Sequence, residues 1–192
     1  RALRRAGWSV DVVPKTVDPS AYKITFAPGL LTVPASLSGG LVVAGPRAGS
    51  KTEELTIPEG SVPQIIGLAT KVTYAESLPP FAPMSLAGEG TFEKWREAIE
   101  TTDAVILRLE DGAPAAVRAG DMIYLAGWPD PSLWRRLLVQ VAQEQGLPIM
   151  DLPRDIRIRD TQTHRFWFNY GPKPVTWNDM TLPAAGVQWE IL

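Results

Sequence analysis

Apolar residues fall in short runs along the chain, and most runs stop at a proline or a glycine. Read by period, residues 3–6 end a helix at Gly7, and 8–13, 22–27 and 41–44 read as short strands, an alternating α/β rhythm. Residues 103–109 and 121–126 are further apolar runs. Asp111-Gly112 and Ala119-Gly120 lie between them, which predicts a meander of short strands joined by tight turns, in the same sheet or one beside it. The clearest helix is 132–145, with Ser132 as N-cap after Pro131 and Leu133, Trp134, Leu137, Leu138 and Val141 on one face. Gly146 is its C′ residue, and Pro148 lies beyond. Over 91–100, Phe92, Trp95 and Ile99 fit helical spacing, but the segment is short and a strand could carry the same residues.

From Ile156 onward the pattern becomes purely β. His164, Phe166, Phe168 and Tyr170 alternate with Arg165, Trp167 and Asn169, and strands at 175–177 and 187–189 follow Pro172 and Pro174, predicting a small β domain. One connection is awkward. Only residues 28–40 separate the second and third strands, although a parallel crossover takes a dozen or more residues and usually a helix. A shortened loop or missing residues would account for it. The chain also opens on Arg1, at what reads as the end of an amphipathic helix, as expected of a piece of something longer.

Composition narrows the function classes. With 192 residues, 45% hydrophobic and 21% charged, the chain can bury a core without disulfides or a structural metal. Zero cysteines exclude a thiolate zinc site and a cysteine nucleophile. Nineteen Lys plus Arg against twenty-one Asp plus Glu are too balanced for a broad nucleic-acid face, so no nucleic-acid partner is expected. No apolar run approaches the roughly 20 residues of a membrane span, so no membrane partner is expected either. The absence of cysteine fits a cytoplasmic location without requiring one.

Several motifs invite chemistry. Gly45-Pro46-Arg47-Ala48-Gly49-Ser50-Lys51-Thr52 nearly matches a phosphate-cradling loop, but Ser50 replaces the second glycine and a short acidic stretch replaces the helix. A structured loop after a strand is the simpler reading. The lone histidine, His164, sits in the aromatic strand and reads as structural. Paired carboxylates would suffice for glycoside hydrolysis, yet Glu53, Glu54, Glu93, Glu97, Glu100, Asp103 and Asp111 read as surface charge. Seven tryptophans could stack on sugars or anchor an interface, though core packing is the default for each. Trp128, before Pro129, reads as the one at a loop edge.

Taken in order, several segments resemble glycoside hydrolase family 42, the bacterial β-galactosidases, in the part that follows their catalytic barrel. The carrying residues are Ala27-Pro28-Gly29-Leu30, the Gly45 to Thr52 motif with Thr56-Ile57-Pro58, and Glu76-Ser77-Leu78-Pro79. Further on come 123–130, Phe166-x-Phe168-Asn169-Tyr170-Gly171, and Leu182-Pro183-x-x-Gly186-Val187. The resemblance implies an α/β fold: an amidotransferase-like (flavodoxin-like), mostly parallel sheet with flanking helices over residues 1–151, incomplete at its start. A small antiparallel β domain then covers 152–192.

It also implies a non-catalytic oligomerisation and scaffold role, as a homotrimer partnered by its own TIM-barrel domain and neighbouring subunits. The parent's substrate would be a terminal β-D-galactoside, hydrolysed with retention by two glutamates on the barrel, with no cofactor or metal. The family's Asn-Glu acid/base pair has no counterpart, because Asn169 and Asn178 precede Tyr170 and Asp179, so no catalytic residue is carried over. Arg47, Lys51 and Trp128 are the candidate interface residues, because loops on rigid scaffolds make contacts. A carbohydrate-binding module using Trp167, Trp177 or Trp189 is the alternative, and it requires those indoles exposed on one face.

Overall fold

The computed structural model describes residues 2–32, 37, 39–58 and 67–192. By its internal contacts the chain forms two compact units, Pro14–Trp134 and Arg1–Val13 together with Arg135–Leu192, the division falling inside a helix. This grouping places 135–151 with the C-terminal strands, whereas the boundary expected at residue 151 follows chain order.

In the unit Pro14–Trp134, strands β1 (Ile24–Ala27) and β2 (Leu41–Ala44) are parallel neighbours. β2 carries four consecutive apolar residues rather than alternating ones, and all four are buried, as for a strand covered on both faces. The connection between them shows no helix among its described residues, and 33–36 and 38 lie outside the description. Gly40, at φ +60°, turns the chain back into β2. A Cβ there would lie 2.4 Å from the Tyr22 carbonyl oxygen, so only glycine fits.

Next come β3 (Thr70–Ser77), β4 (Met84–Ser85), β5 (Thr91–Thr101), β6 (Ala104–Arg108), β7 (Pro114–Ala119), β8 (Met122–Leu125) and β9 (Gly127–Pro129). One sheet runs in the order β1-β2-β8-β7-β6. It is mixed rather than mostly parallel: β8 is parallel to β2, but β6, β7 and β8 form the expected antiparallel meander. Tight turns force that direction. At the first, Asp111 accepts from the Ala113 N–H and Gly112 takes φ +88°; at the second, Gly120 takes φ +55°.

The second sheet is built on β5. Phe92 pairs with Met84 and Pro129, and Arg96 pairs with Glu76 and Gly127, so β3 and β4 share one edge of β5 while β9 takes the other. Residues 91–101 are therefore a strand, and the helical alternative is corrected. Thr, Phe, Trp and Ile suit a pleated surface, and partners on both edges satisfy the backbone, which settles what periodicity left open. Val42, Ala44, Ala48, Ile99, Val117, Met122, Tyr124 and Ala126 form the core.

The helix α2 (Pro131–Glu144) ends this unit and begins the other. Its N-cap is Asp130, not Ser132: the carboxylate accepts from the Leu133 N–H at 2.7 Å and the Ser132 hydroxyl at 2.8 Å, with Pro131 in the first helical position. Burial alone would raise the Asp130 pKa, but these bonds and two from Thr91 outweigh it and hold it below the usual value. The other end closes as expected. Gly146 takes φ +59°, its N–H bonds to the Gln143 carbonyl and that of Leu147 to Ala142, completing a Schellman turn.

The unit of 1–13 and 135–192 contains the short helix α1 (Ala2–Arg5), ended by Gly7 at φ +80°. Residues 8–13 are not a strand as expected. No described strand pairs with them, and the Trp8 indole instead donates to the Pro148 carbonyl at 2.8 Å. A three-stranded antiparallel sheet runs β10 (Ile156–Asp160), β11 (His164–Asn169), β14 (Val187–Ile191), beside the hairpin of β12 (Val175–Trp177) and β13 (Met180–Leu182). Asn178 and Asp179, both at positive φ, make the two-residue turn of that hairpin. Leu152, Ile156, Ile158, Trp167 and Leu182 form the core.

Candidate functional site

Strand β2 delivers the chain at Ala44 into the loop 45–52. Arg47 turns at φ +68°, and the backbone N–H groups of Ala48, Gly49, Ser50 and Lys51 donate to the carbonyls of Gly45, Leu30, Arg47 and Leu31. The Arg47 N–H donates to the Glu97 carboxylate at 2.8 Å. No N–H from 47 through 51 is left to face a phosphate, and a phosphate cradle consists of such groups. The motif is the structured loop of the simpler reading.

Beneath it lies a residue that the sequence hid. Glu97, read from sequence as surface charge, is 4% exposed. In a strand, Trp95, Glu97 and Ile99 share one face, and that face turns into the core. Glu97 is held there by the Arg47 N–H, by the Tyr124 hydroxyl on β8, and by the Trp95 indole N–H at 3.3 Å. Its own N–H donates to the Ala126 carbonyl. Burial raises the Glu97 pKa above its usual value, outweighing the donors and the Arg47 charge that lower it. Burial, and then the Glu97 charge, push Tyr124 well above its own, so the tyrosine keeps its proton and donates it.

The Arg47 side chain does not join this network as an ion pair. Its guanidinium lies over the Trp95 ring, 5.2 Å from the centroid, and the side chain is exposed. Glu97 thus fixes the backbone at Arg47 while Trp95 supports the side chain, so the charge is held outward at little entropic cost. Lys51 lies four residues on in the same loop. Trp128 is in β9, paired with the opposite edge of β5 from β3, rather than in a loop, and it is 36% exposed. Of the three candidates, Arg47 is tied to β5 by side-chain contacts and Trp128 by its strand's pairing. The missed members are Trp95, Glu97 and Tyr124.

The remaining candidates separate. Glu97 is the single buried acid among the described residues and its oxygens are occupied by donors from the chain, so it has neither the open cleft nor the second carboxylate of glycoside hydrolysis. His164 bonds to the Thr163 hydroxyl and packs edge-on to Trp189. Among the described residues no three His, Asp or Glu side chains gather at metal-ligand spacing, and no helix is long and apolar enough to cross a membrane. The three C-terminal tryptophans do not form one exposed face. Trp167 is in the core, Trp177 packs against it, and only Trp189 is exposed. Asn169 is a buried staple: its amide donates to the carbonyls of Lys173, Leu182 and Pro183 and accepts from the Gly171 N–H.

Known proteins agree with this architecture. A family model described as the β-galactosidase trimerisation domain matches residues 1–148. A β-galactosidase of Thermus thermophilus is 40% identical over 185 residues, which cover 91% of this chain and 29% of that protein. The chain thus spans less than a third of this relative's length. The crystal structure of a β-galactosidase from the psychrophilic Marinomonas ef1 superposes with a TM-score of 0.87 at 28% identity, covering 98% of this chain and 32% of that one. One from Bacillus circulans sp. alkalophilus has a TM-score of 0.84 at 19% identity, covers 98% of this chain and 35% of that one, and shows the shared fold. The match over residues 1–148 bears out the resemblance to glycoside hydrolase family 42, and the chain belongs to its β-galactosidase trimerisation-domain family.

Proposed function

We propose that the chain is the non-catalytic oligomerisation and scaffold portion of a longer cytoplasmic β-galactosidase, assembled as a homotrimer. The carrying observation is the match of residues 1–148 to a trimerisation domain. Hydrolysis of terminal β-D-galactosides with retention belongs to two glutamates on a barrel beyond these residues. The one buried acid described here is wholly engaged in holding a loop, in keeping with that division of labour. In this reading residues 1–151 are an amidotransferase-like domain and 152–192 its small β companion. Arg47, Lys51 and Trp128 face the neighbouring subunit, where the outward guanidinium meets a carboxylate or carbonyl acceptor.

Hydrogen exchange measured on concentrated and on diluted protein tests this reading. Amides of 45–52 and 127–129 are expected to exchange faster on dilution, as subunits separate. Exchange at these segments that ignores concentration, in a protein whose mass falls on dilution, would move the interface elsewhere. Galactoside hydrolysis by the 192-residue chain alone would refute the scaffold role.

A further inference from the structure

The edge strand beside β5 is interrupted in an unusual way. Between the pairs Ser77↔Trp95 and Met84↔Phe92 the edge has six residues where β5 has two, so four more than the register needs are extruded from the sheet. The extruded segment, Leu78-Pro79-Pro80-Phe81-Ala82-Pro83, contains no polar side chain. Residues 79–83 are all exposed, and Phe81, at 88%, is the most exposed large hydrophobic residue described. A loop that had only to close a gap in a strand would carry polar residues, since contiguous exposed apolar surface invites association.

The segment is also held in one shape. Its start is pinned by the Leu78 N–H on the Lys94 carbonyl at 2.8 Å, and its turn by the Ala82 N–H on the Pro79 carbonyl at 3.0 Å. Pro80 occupies the second turn position, which favours proline, and Pro79 and Pro83 fix the backbone on either side. Ordering before contact is what makes an aromatic side chain an effective anchor, since binding then costs little conformational entropy. The turn leaves β3 at Ser77, paired with Trp95, the ring that carries the Arg47 guanidinium, so it continues the surface already described.

We propose that the Pro79–Pro83 turn is a preformed anchor of the subunit contact, with Phe81 of one copy packed against the next. The inference rests on the oligomerisation reading above. A closed ring of three identical subunits uses heterologous contacts, in which a projection on one copy meets a different surface on its neighbour, and a single protruding turn suits that geometry.

Light scattering of the full-length protein over a dilution series, for the wild type, Phe81→Ser and Phe81→Leu, tests it. Phe81→Ser is expected to raise the concentration at which the oligomer dissociates by about tenfold or more. Phe81→Leu should recover much of that loss. Thermal unfolding at concentrations where both proteins are monomeric should be the same for wild type and Phe81→Ser. Identical dilution curves for all three proteins, while the wild type is oligomeric, would overturn the proposal and leave the oligomerisation reading standing. Lower monomer stability of Phe81→Ser with an unchanged dilution curve would also overturn it, showing that the rest of the same chain covers the turn. A wild type that is monomeric throughout would defeat the oligomerisation reading itself, and the anchor with it.

Discussion

Among the described residues each unit buries one charged or amide side chain in an apolar core, Glu97 in one and Asn169 in the other, and the two are used differently. The Asn169 side chain bonds only to residues within 14 positions of itself, tying the end of β11 to the nearby hairpin. Glu97 reaches Arg47, 50 positions away, and Tyr124, 27 positions away, so it ties two sheets and a loop together. The neutral amide is a local staple whose donors and acceptors are matched without charge. The carboxylate spends desolvation to fix a loop with φ +68° at its centre, which is a device for presenting a side chain.

Removing each group tests that contrast most strongly. Glu97→Ala strands the Arg47 N–H, the Tyr124 hydroxyl and the Trp95 indole, and is expected to lower stability by about 3 kcal/mol in chemical denaturation. Asn169→Ala leaves one N–H and carbonyls nearer the surface unpaired, for a loss of about 2 kcal/mol. The two should also part in where they act: Glu97→Ala should speed exchange at 45–52 as well as around itself, Asn169→Ala only within 169–187. Equal, purely local effects would erase the distinction.

A pH series sharpens it further. Because burial raises the Glu97 pKa in the folded protein above the usual 4.5, folding favours the protonated form. Its stabilising contribution is fully present below 4.5, is lost as pH rises through the raised value, and is level above it. The stability difference between wild type and Glu97→Gln should therefore decline with rising pH across that window. For Asn169→Ala the difference should stay flat there. Smallest is the helix cap: Asp130→Ala should cost about 1 kcal/mol, and Ser132→Ala less, since Asp130 holds the first-turn N–H.

Legibility followed how locally each feature is decided. The helix α2 was readable because its apolar spacing, Pro131 and Gly146 agree within one segment, although the cap moved two residues to Asp130. Strands β2 and β12 were readable because Gly39-Gly40 and Pro174 mark where they begin, and the meander of β6 to β8 because its turns carry Asp111-Gly112 and Ala119-Gly120. Strand β5 was not, since Phe92, Trp95 and Ile99 fall at helical spacing, and the strand carries them only through an irregularity between Phe92 and Arg96, with Lys94 at φ +65°. Glu97 was hidden by the same ambiguity: on a helix it falls on the acidic side with Glu93 and Glu100, whereas on a strand it shares the row of Trp95 and Ile99. An acid flanked two residues away on each side by Trp95 and Ile99 was the available signal.

Gly127 shows the same limit. Its sequence neighbours give no sign that a Cβ there would lie 2.2 Å from the Phe92 ring, a contact that exists only once β9 is laid against β5. Failure of the residue 8–13 strand has the same cause in reverse: the residues suit a strand, and no described strand pairs with them.

The most direct test of the account is the ratio of native to denatured subunit mass of the full-length protein, by light scattering and denaturing mass spectrometry on the same sample. A homotrimer of a longer chain gives a subunit much heavier than the 21.0 kDa of these residues and a ratio of three. A ratio of one at every concentration would contradict it.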